Sequence, residues 1–150
     1  LGIEAFNRLK KPLKIVGAGP EFKKLKSLVV SPLIEFIPAV ADNELRLLYS
    51  NATALIFPQI EDFGLVAAEA QACGTPVIAF NKGGAVEIVE NKITGLFFNE
   101  QTPEAVIGAI KEFEKMNFDR EYIRKKAERF SKKQFKDKIK EMVAQNGFKI

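Results

Sequence analysis

Short apolar runs alternate along this chain with stretches in which apolar residues recur every three or four positions. The runs fall at residues 13–16, 34–37, 53–57, 76–80 and 95–98, the first closed by Gly17 and the third by Pro58. As a set they lack the sustained apolar–polar alternation of a sheet with one wet face, so they predict strands buried on both sides. Between them, helical spacing predicts helices over 21–28, over 43–50 with Asp42 as N-cap, over 64–73 up to Gly74, and over 84–89. Beyond residue 98 the chain reads as helix. Val106, Ile110 and Phe113 make one apolar stripe, and Phe135, Ile139, Met142 and Val143 make another. Strands separated by helices indicate a single α/β domain, a parallel sheet with helices on both faces. Ligands of such sheets bind beyond the carboxyl ends of the strands. Three loops are expected there, at 17–20, 58–64 and 80–84.

The first helix carries Ile3, Phe6 and Leu9 on one stripe, and no strand stands ahead of Leu1. An opening helix of a doubly wound unit normally follows a strand. The expectation is therefore an N-terminally truncated domain over 1–150, with at least one strand removed. The lack of an initial Met agrees with a fragment.

The chemistry concentrates between Glu61 and Glu69, in E-D-F-G-L-V-A-A-E. Glu61 sits on a loop at a strand's carboxyl end, and Glu69 falls inside the following helix. The backbone N–H groups around Phe63, Gly64, Leu65 and Val66 open that helix, and a helix start attracts anions. Gly64 lets a ligand approach because it has no Cβ. A diphosphate suits the helix start, and the carboxylates suit sugar or ribose hydroxyls. The same Glu61 and Asp62 also suit any helix start by complementing its dipole, and spacing alone does not choose. Glu69, set among Ala67, Ala68, Ala70 and Ala72, reads as tightly packed and in need of a partner.

Composition narrows the chemistry. The 150 residues are 47 % hydrophobic, enough for one core. No histidine is present, so imidazole proton transfer and His metal sites are excluded, and proton transfer falls to carboxylates. The lone Cys73 excludes a disulfide framework and a zinc site, reads as a small core residue, and fits a cytoplasmic location. No apolar run is long enough to span a membrane. Residues 111–150 hold 13 of the 23 Lys and Arg but 7 of the 19 Asp and Glu. That basic excess suits solvated helix faces, or a weak peripheral contact with an anionic membrane surface. No aromatic stacking pattern accompanies it, which argues against nucleic acid. Arg8, Lys10, Lys11 and Lys82 read as surface charges.

Residues 61–89, E-D-F-G-L-V-A-A-E-A-Q-A-C-G-T-P-V-I-A-F-N-K-G-G-A-V-E-I-V, closely resemble the donor-site segment of the retaining glycosyltransferases of family four, which have the GT-B fold. That pattern is E-x7-E within E-x-F-G-x-x-x-x-E-A, then G-x-P-V and G-G-x-x-E. Glu61 and Glu69 fit it, as do Gly74, Pro76 and Val77, and then Gly83, Gly84 and Glu87. Upstream I-V-G-A-G-P and downstream T-G-L-F-F also fit. The resemblance implies a Rossmann-like domain, the C-terminal, donor-binding half of a GT-B enzyme. Glu61 would be the catalytic-site carboxylate, contacting the donor sugar near the reacting centre. Asp62, Phe63, Gly64, Leu65 and Val66 would hold sugar and phosphate. Glu69 would bind the ribose, Gly17 would let the backbone pass the nucleotide, and Ile37 and Pro38 would lie near the base. The family usually has glycine where this chain has Pro38. The resemblance implies no metal and no cofactor beyond the nucleotide-sugar donor. Q-I-E-D-F-G with E-A-Q-A-C-G looks most like mannosyltransferases using GDP-mannose, with UDP-sugars as the alternative. The acceptor would be a glycan or a lipid-linked molecule, bound by an N-terminal domain that this chain lacks. The family's Arg and Lys that neutralise the leaving diphosphate would lie upstream of the opening helix. Two other functions stay open: a non-catalytic nucleotide-sugar-binding module, and a nucleotide-sugar isomerase (epimerase) of the same fold. The second fits less well, because such enzymes use histidine.

Overall fold

The computed structural model describes residues 1–145. Five short strands alternate with helices: α1 (Gly2–Leu9), β1 (Leu13–Val16), α2 (Phe22–Ser27), β2 (Ile34–Ile37), α3 (Asp42–Asn51), β3 (Leu55–Phe57), α4 (Leu65–Ala72), β4 (Val77–Phe80), α5 (Ala85–Ile88) and β5 (Gly95–Phe98). The helices α6 (Pro103–Phe113), α7 (Arg120–Ala127) and α8 (Lys132–Gln145) follow, with a 3-10 turn at Glu128–Phe130. Every predicted element is present, within two residues of its expected ends. Asp42 differs in role. It is the first residue of α3, Ala41 occupies the cap position, and no side chain caps the helix. Asp42 therefore acts with Glu44 as a first-turn charge against the helix dipole.

All strand pairs are parallel, as expected, but the ladder is broken. β1 pairs with β2, and separately β3, β4 and β5 pair in that order. The two sheets share one apolar layer. Ile3, Ala5 and Phe6 of α1 pack with Ile34 of β2, with Ile78 and Phe80 of β4, with Leu96 and Phe98 of β5, and with α6. On the other side, Phe57, Val77 and Ala79 pack against Ala67, Ala68 and Ala70 of α4 and against Ala85 and Ile88 of α5. Successive β4 residues thus enter opposite layers, and the strand is buried at every position.

Buried polar groups lock the carboxyl side of α4. Gln71 Nε2 donates to Thr94 Oγ1 at 3.0 Å, and that oxygen also accepts from the Glu90 N–H at 2.8 Å. Gly95 is required by crowding, because a Cβ there would lie 1.9 Å from the Val77 carbonyl oxygen. Asp119 caps α7 and Thr102 caps α6, so the late helices begin where their sequences dictate. The α6 stripe is buried as predicted, at Val106, Ile110 and Phe113. The α8 stripe is not: Phe135 and Ile139 stay exposed, and α8 packs on the 3-10 turn.

Candidate functional site

The loop between β3 and α4 runs from Pro58 to Gly64. Gly64 holds φ at +80°, a left-handed conformation suited to glycine, and this turns the chain into the first turn of α4. Its carbonyl accepts from the N–H groups of Ala67 and Ala68. The earlier N–H groups, at Leu65 and Val66, precede any acceptor within the helix.

A second pair of glycines seats this loop. The Gly84 N–H donates to the Glu61 carbonyl at 2.7 Å. A Cβ on Gly84 would lie 2.3 Å from the Phe63 carbonyl oxygen, and one on Gly83, which has φ +66°, would lie 2.5 Å from that of Glu61. The G-G pair is therefore a bed for the backbone of Glu61, Asp62 and Phe63, beyond its place in a turn. Two glutamine side chains hold the same loop. Gln101 Nε2 donates to the Pro58 carbonyl at 2.8 Å, and Gln59 Nε2 donates to Glu61 Oε1 at 3.1 Å. Glu61 is half-buried, while Asp62, Phe63 and Leu65 are exposed. The Phe63 ring meets Phe130 edge-on at 6.5 Å.

Glu69 is exposed rather than packed, which corrects the expectation from its alanine neighbours. Helical geometry explains this. Ala67, Ala68, Ala70 and Gln71 face the core, whereas Leu65, Glu69 and Ala72, spaced four and three apart, face outward. Glu69 lines a cleft of about 270 Å³ between α3 and α4, together with Asp42, Leu45, Arg46, Tyr49, Ala72 and Cys73. Cys73 is thus half-buried on the cleft wall at the end of α4, and not a core residue. Burial pushes the Tyr49 hydroxyl up to about 12, aided by the Glu69 carboxylate, which accepts its proton in a hydrogen bond.

Gly17 and Ile37 come together: the Gly17 N–H donates to the Ile37 carbonyl at 2.9 Å, at the carboxyl ends of β1 and β2. Gly17 is needed for its φ of +119° and not for space, since a Cβ would meet nothing within 4 Å. Ile37 is half-buried and Pro38 exposed. These residues belong to the β1–β2 sheet, and the Glu61 loop to the other. Arg8 pairs with Glu104, Lys11 with Glu114 at 2.6 Å, and Lys82 lies over the Phe80 ring. All three are surface charges, as read from the sequence. Among the described residues, no three carboxylate or thiol side chains gather as metal ligands would.

Comparison with known proteins places this architecture. Residues 1–142 match the family model of the glycosyl transferases group 1. The chain belongs to that family. A D-inositol 3-phosphate glycosyltransferase of Frankia alni is 43 % identical over 82 residues, 54 % of this chain and 20 % of that protein. A GDP-mannose-dependent alpha-(1-6)-phosphatidylinositol monomannoside mannosyltransferase of Mycobacterium tuberculosis is 35 % identical over 112 residues, 67 % of this chain and 29 % of that one. Among solved structures, Anabaena HepE in complex with UDP-glucose superposes with a TM-score of 0.77 at 23 % identity, over 95 % of this chain and 44 % of that one. That likeness shows the α/β fold of the GT-B glycosyltransferases. The chain spans less than half the length of these relatives.

Within this group 1 glycosyltransferase chain, the structure adds residues that the sequence did not single out. Tyr49 and Arg46 share one face of α3 with Asp42, and that spacing was the available signal. Gln59 and Gln101 carried none, because neutral amides on loops look alike until their partners are known.

Proposed function

We propose that this chain is the donor-binding domain of a glycosyltransferase that moves a sugar from a nucleotide donor to a glycan or lipid-linked acceptor with retention. The observation that carries the reading is the seating of the Glu61–Phe63 backbone on Gly83 and Gly84, directly ahead of the α4 N-terminus. A pinned loop presents Glu61 to a donor sugar without reorganisation, and the free N–H groups of Leu65 and Val66 stabilise departing diphosphate charge. Glu69, turned out into the α3–α4 cleft, is the ribose ligand of this reading. Asp62, Phe63 and Gly64 complete the sugar and phosphate side, and Gly17, Ile37 and Pro38 the nucleotide side.

The division of the strands into two separate parallel ladders supports the companion proposal that a further strand belongs to a longer protein, which would also carry the acceptor-binding domain and the diphosphate-binding cations. On this reading the 150 residues alone bind donor weakly and do not turn over. Among the described residues no helix is long and apolar enough to cross a membrane. A cytoplasmic enzyme touching the membrane surface through its basic late helices is part of the same proposal.

GDP-mannose is the proposed donor, supported by the Mycobacterium relative's own donor, and UDP-glucose is its rival, given the Anabaena complex. Calorimetry on the longer protein with GDP-mannose, UDP-glucose, GDP and UDP tests this. Tighter binding of GDP-mannose is expected. A preference for UDP-glucose overturns the mannose assignment, and failure of both to bind overturns the donor-site reading.

A further inference from the structure

The loop that carries Glu61 is fixed at three points, and only one of them acts on the side chain. Its start is tied by Gln101 through the Pro58 carbonyl, and its middle by the Gly84 N–H through the Glu61 carbonyl. Those two contacts fix where the Glu61 backbone lies. They leave the carboxylate free to rotate about its side-chain torsions, since a half-buried glutamate on a loop has several open rotamers. Gln59 Nε2, donating to Oε1 at 3.1 Å, removes that freedom. A carboxylate has two oxygens, so fixing Oε1 aims Oε2.

We propose that Gln59 is a positioning residue that holds the Glu61 carboxylate toward the donor sugar. The inference rests on the donor-site reading of Glu61 and goes beyond it. An amide suits the task because it donates to an ionised carboxylate without adding charge. Both side chains lie on the surface loop, away from either apolar layer, so their bond serves local orientation and not the core.

The test uses the full-length protein and four probes: GDP, GDP-mannose, UDP and UDP-glucose. The quantity to follow is the gain in affinity that the sugar brings over the bare nucleotide. Glu61→Ala should abolish most of that gain. Gln59→Ala should reduce it about three- to tenfold, as expected for losing one exposed hydrogen bond to a charged group. Bare-nucleotide affinity and Tm should not move. Gln59→Glu should reduce the gain further, because it sets a second negative charge beside the first. If Glu61→Ala removes the gain and Gln59→Ala leaves it intact, the positioning role is wrong while the donor site stands. Loss of bare-nucleotide affinity and Tm in Gln59→Ala would make the role merely structural and equally overturn it. A sugar gain that survives Glu61→Ala sinks the donor-site reading itself.

Discussion

The two sheets of this domain are built to different standards. In the β3–β5 sheet, β4 is buried at every position and β5 at all but one, and four of the eight α4 residues are buried against them. In the β1–β2 sheet, β1 alternates half-buried with exposed positions, and neither α2 nor α3 buries a single residue. The first sheet has buried helix residues on both faces; the second has the α1 layer and, from α2, the Phe22 ring edge-on to Phe36 at 5.2 Å. The difference shows where rigidity is placed. The loop bearing Glu61 leaves the dense sheet and is bedded on glycines, while Gly17 and Ile37 belong to the looser one. On the proposed donor-site reading, Glu61 and Glu69 would hold sugar and ribose from the dense half, and only the base end would meet the looser β1–β2 half.

Glycine substitutions break or confirm that contrast most directly. Gly95→Ala should destabilise the domain by about 3 kcal/mol or prevent folding, because its Cβ meets the Val77 carbonyl inside the β4–β5 ladder. Gly17→Ala should cost about 1–2 kcal/mol, since only its positive φ is strained and the space around it is open. Urea unfolding monitored by circular dichroism checks both. Equal losses would mean the two sheets do not differ in packing as described.

Gly84→Ala sharpens the comparison at the site. Its Cβ would sit 2.3 Å from the Phe63 carbonyl oxygen and 2.8 Å from that of Asp62, so the Glu61 loop must move. The expected stability loss is smaller, about 1–2 kcal/mol, because a surface loop shifts more easily than a buried strand. Donor affinity should fall about tenfold or more if a displacement of the loop breaks its contacts. A variant that binds sugar nucleotide normally would show that the glycine bed does not set the loop.

Much of this was legible in the sequence, and the failures have physical causes. The apolar runs located all five strands, but the expected burial on both faces holds for β4 and nearly for β5. β1 alternates half-buried with exposed positions and was found because three of its four residues are apolar. The division into a β1–β2 pair and a β3–β4–β5 sheet was not legible, since strand pairing is long-range and no local residue encodes it. Ala67, Ala68 and Ala70 correctly announced a close-packed helix, yet suggested a buried Glu69. One face of the helix buries those alanines while the opposite face, with Leu65 and Ala72, turns the glutamate outward. The E-x7-E spacing placed Glu61 on a loop and Glu69 on a helix, but not the Tyr49 facing Glu69 or the Gln59 holding Glu61. Both are side-chain contacts that only the fold creates.

Tyr49 offers the smallest and most specific test, because it stands between the two regions, on the loosely packed α3 but facing α4 of the dense half. Its hydroxyl is raised from the ordinary 10 to about 12, first by burial and then by the charge of Glu69. Below pH 10 the phenol is protonated in folded and unfolded chains alike, and stability does not depend on it. Between about pH 10 and pH 12 the unfolded chain gives up the proton while the folded chain keeps it. The unfolded state then binds fewer protons, so stability falls as pH rises through that window and levels off above it. Because this side chain is only half-buried, the loss is discounted to about 1 kcal/mol. Tyr49→Phe should remove this contribution to the slope, measured as the difference in urea midpoints at pH 9.5 and 11.5 against the parent protein. Glu69→Gln should remove only the lesser part, since burial is the larger cause. If Glu69→Gln flattens the slope as fully as Tyr49→Phe does, the cleft is wetter than its α3 and α4 walls imply, and the contact between the two halves is electrostatic and not packed.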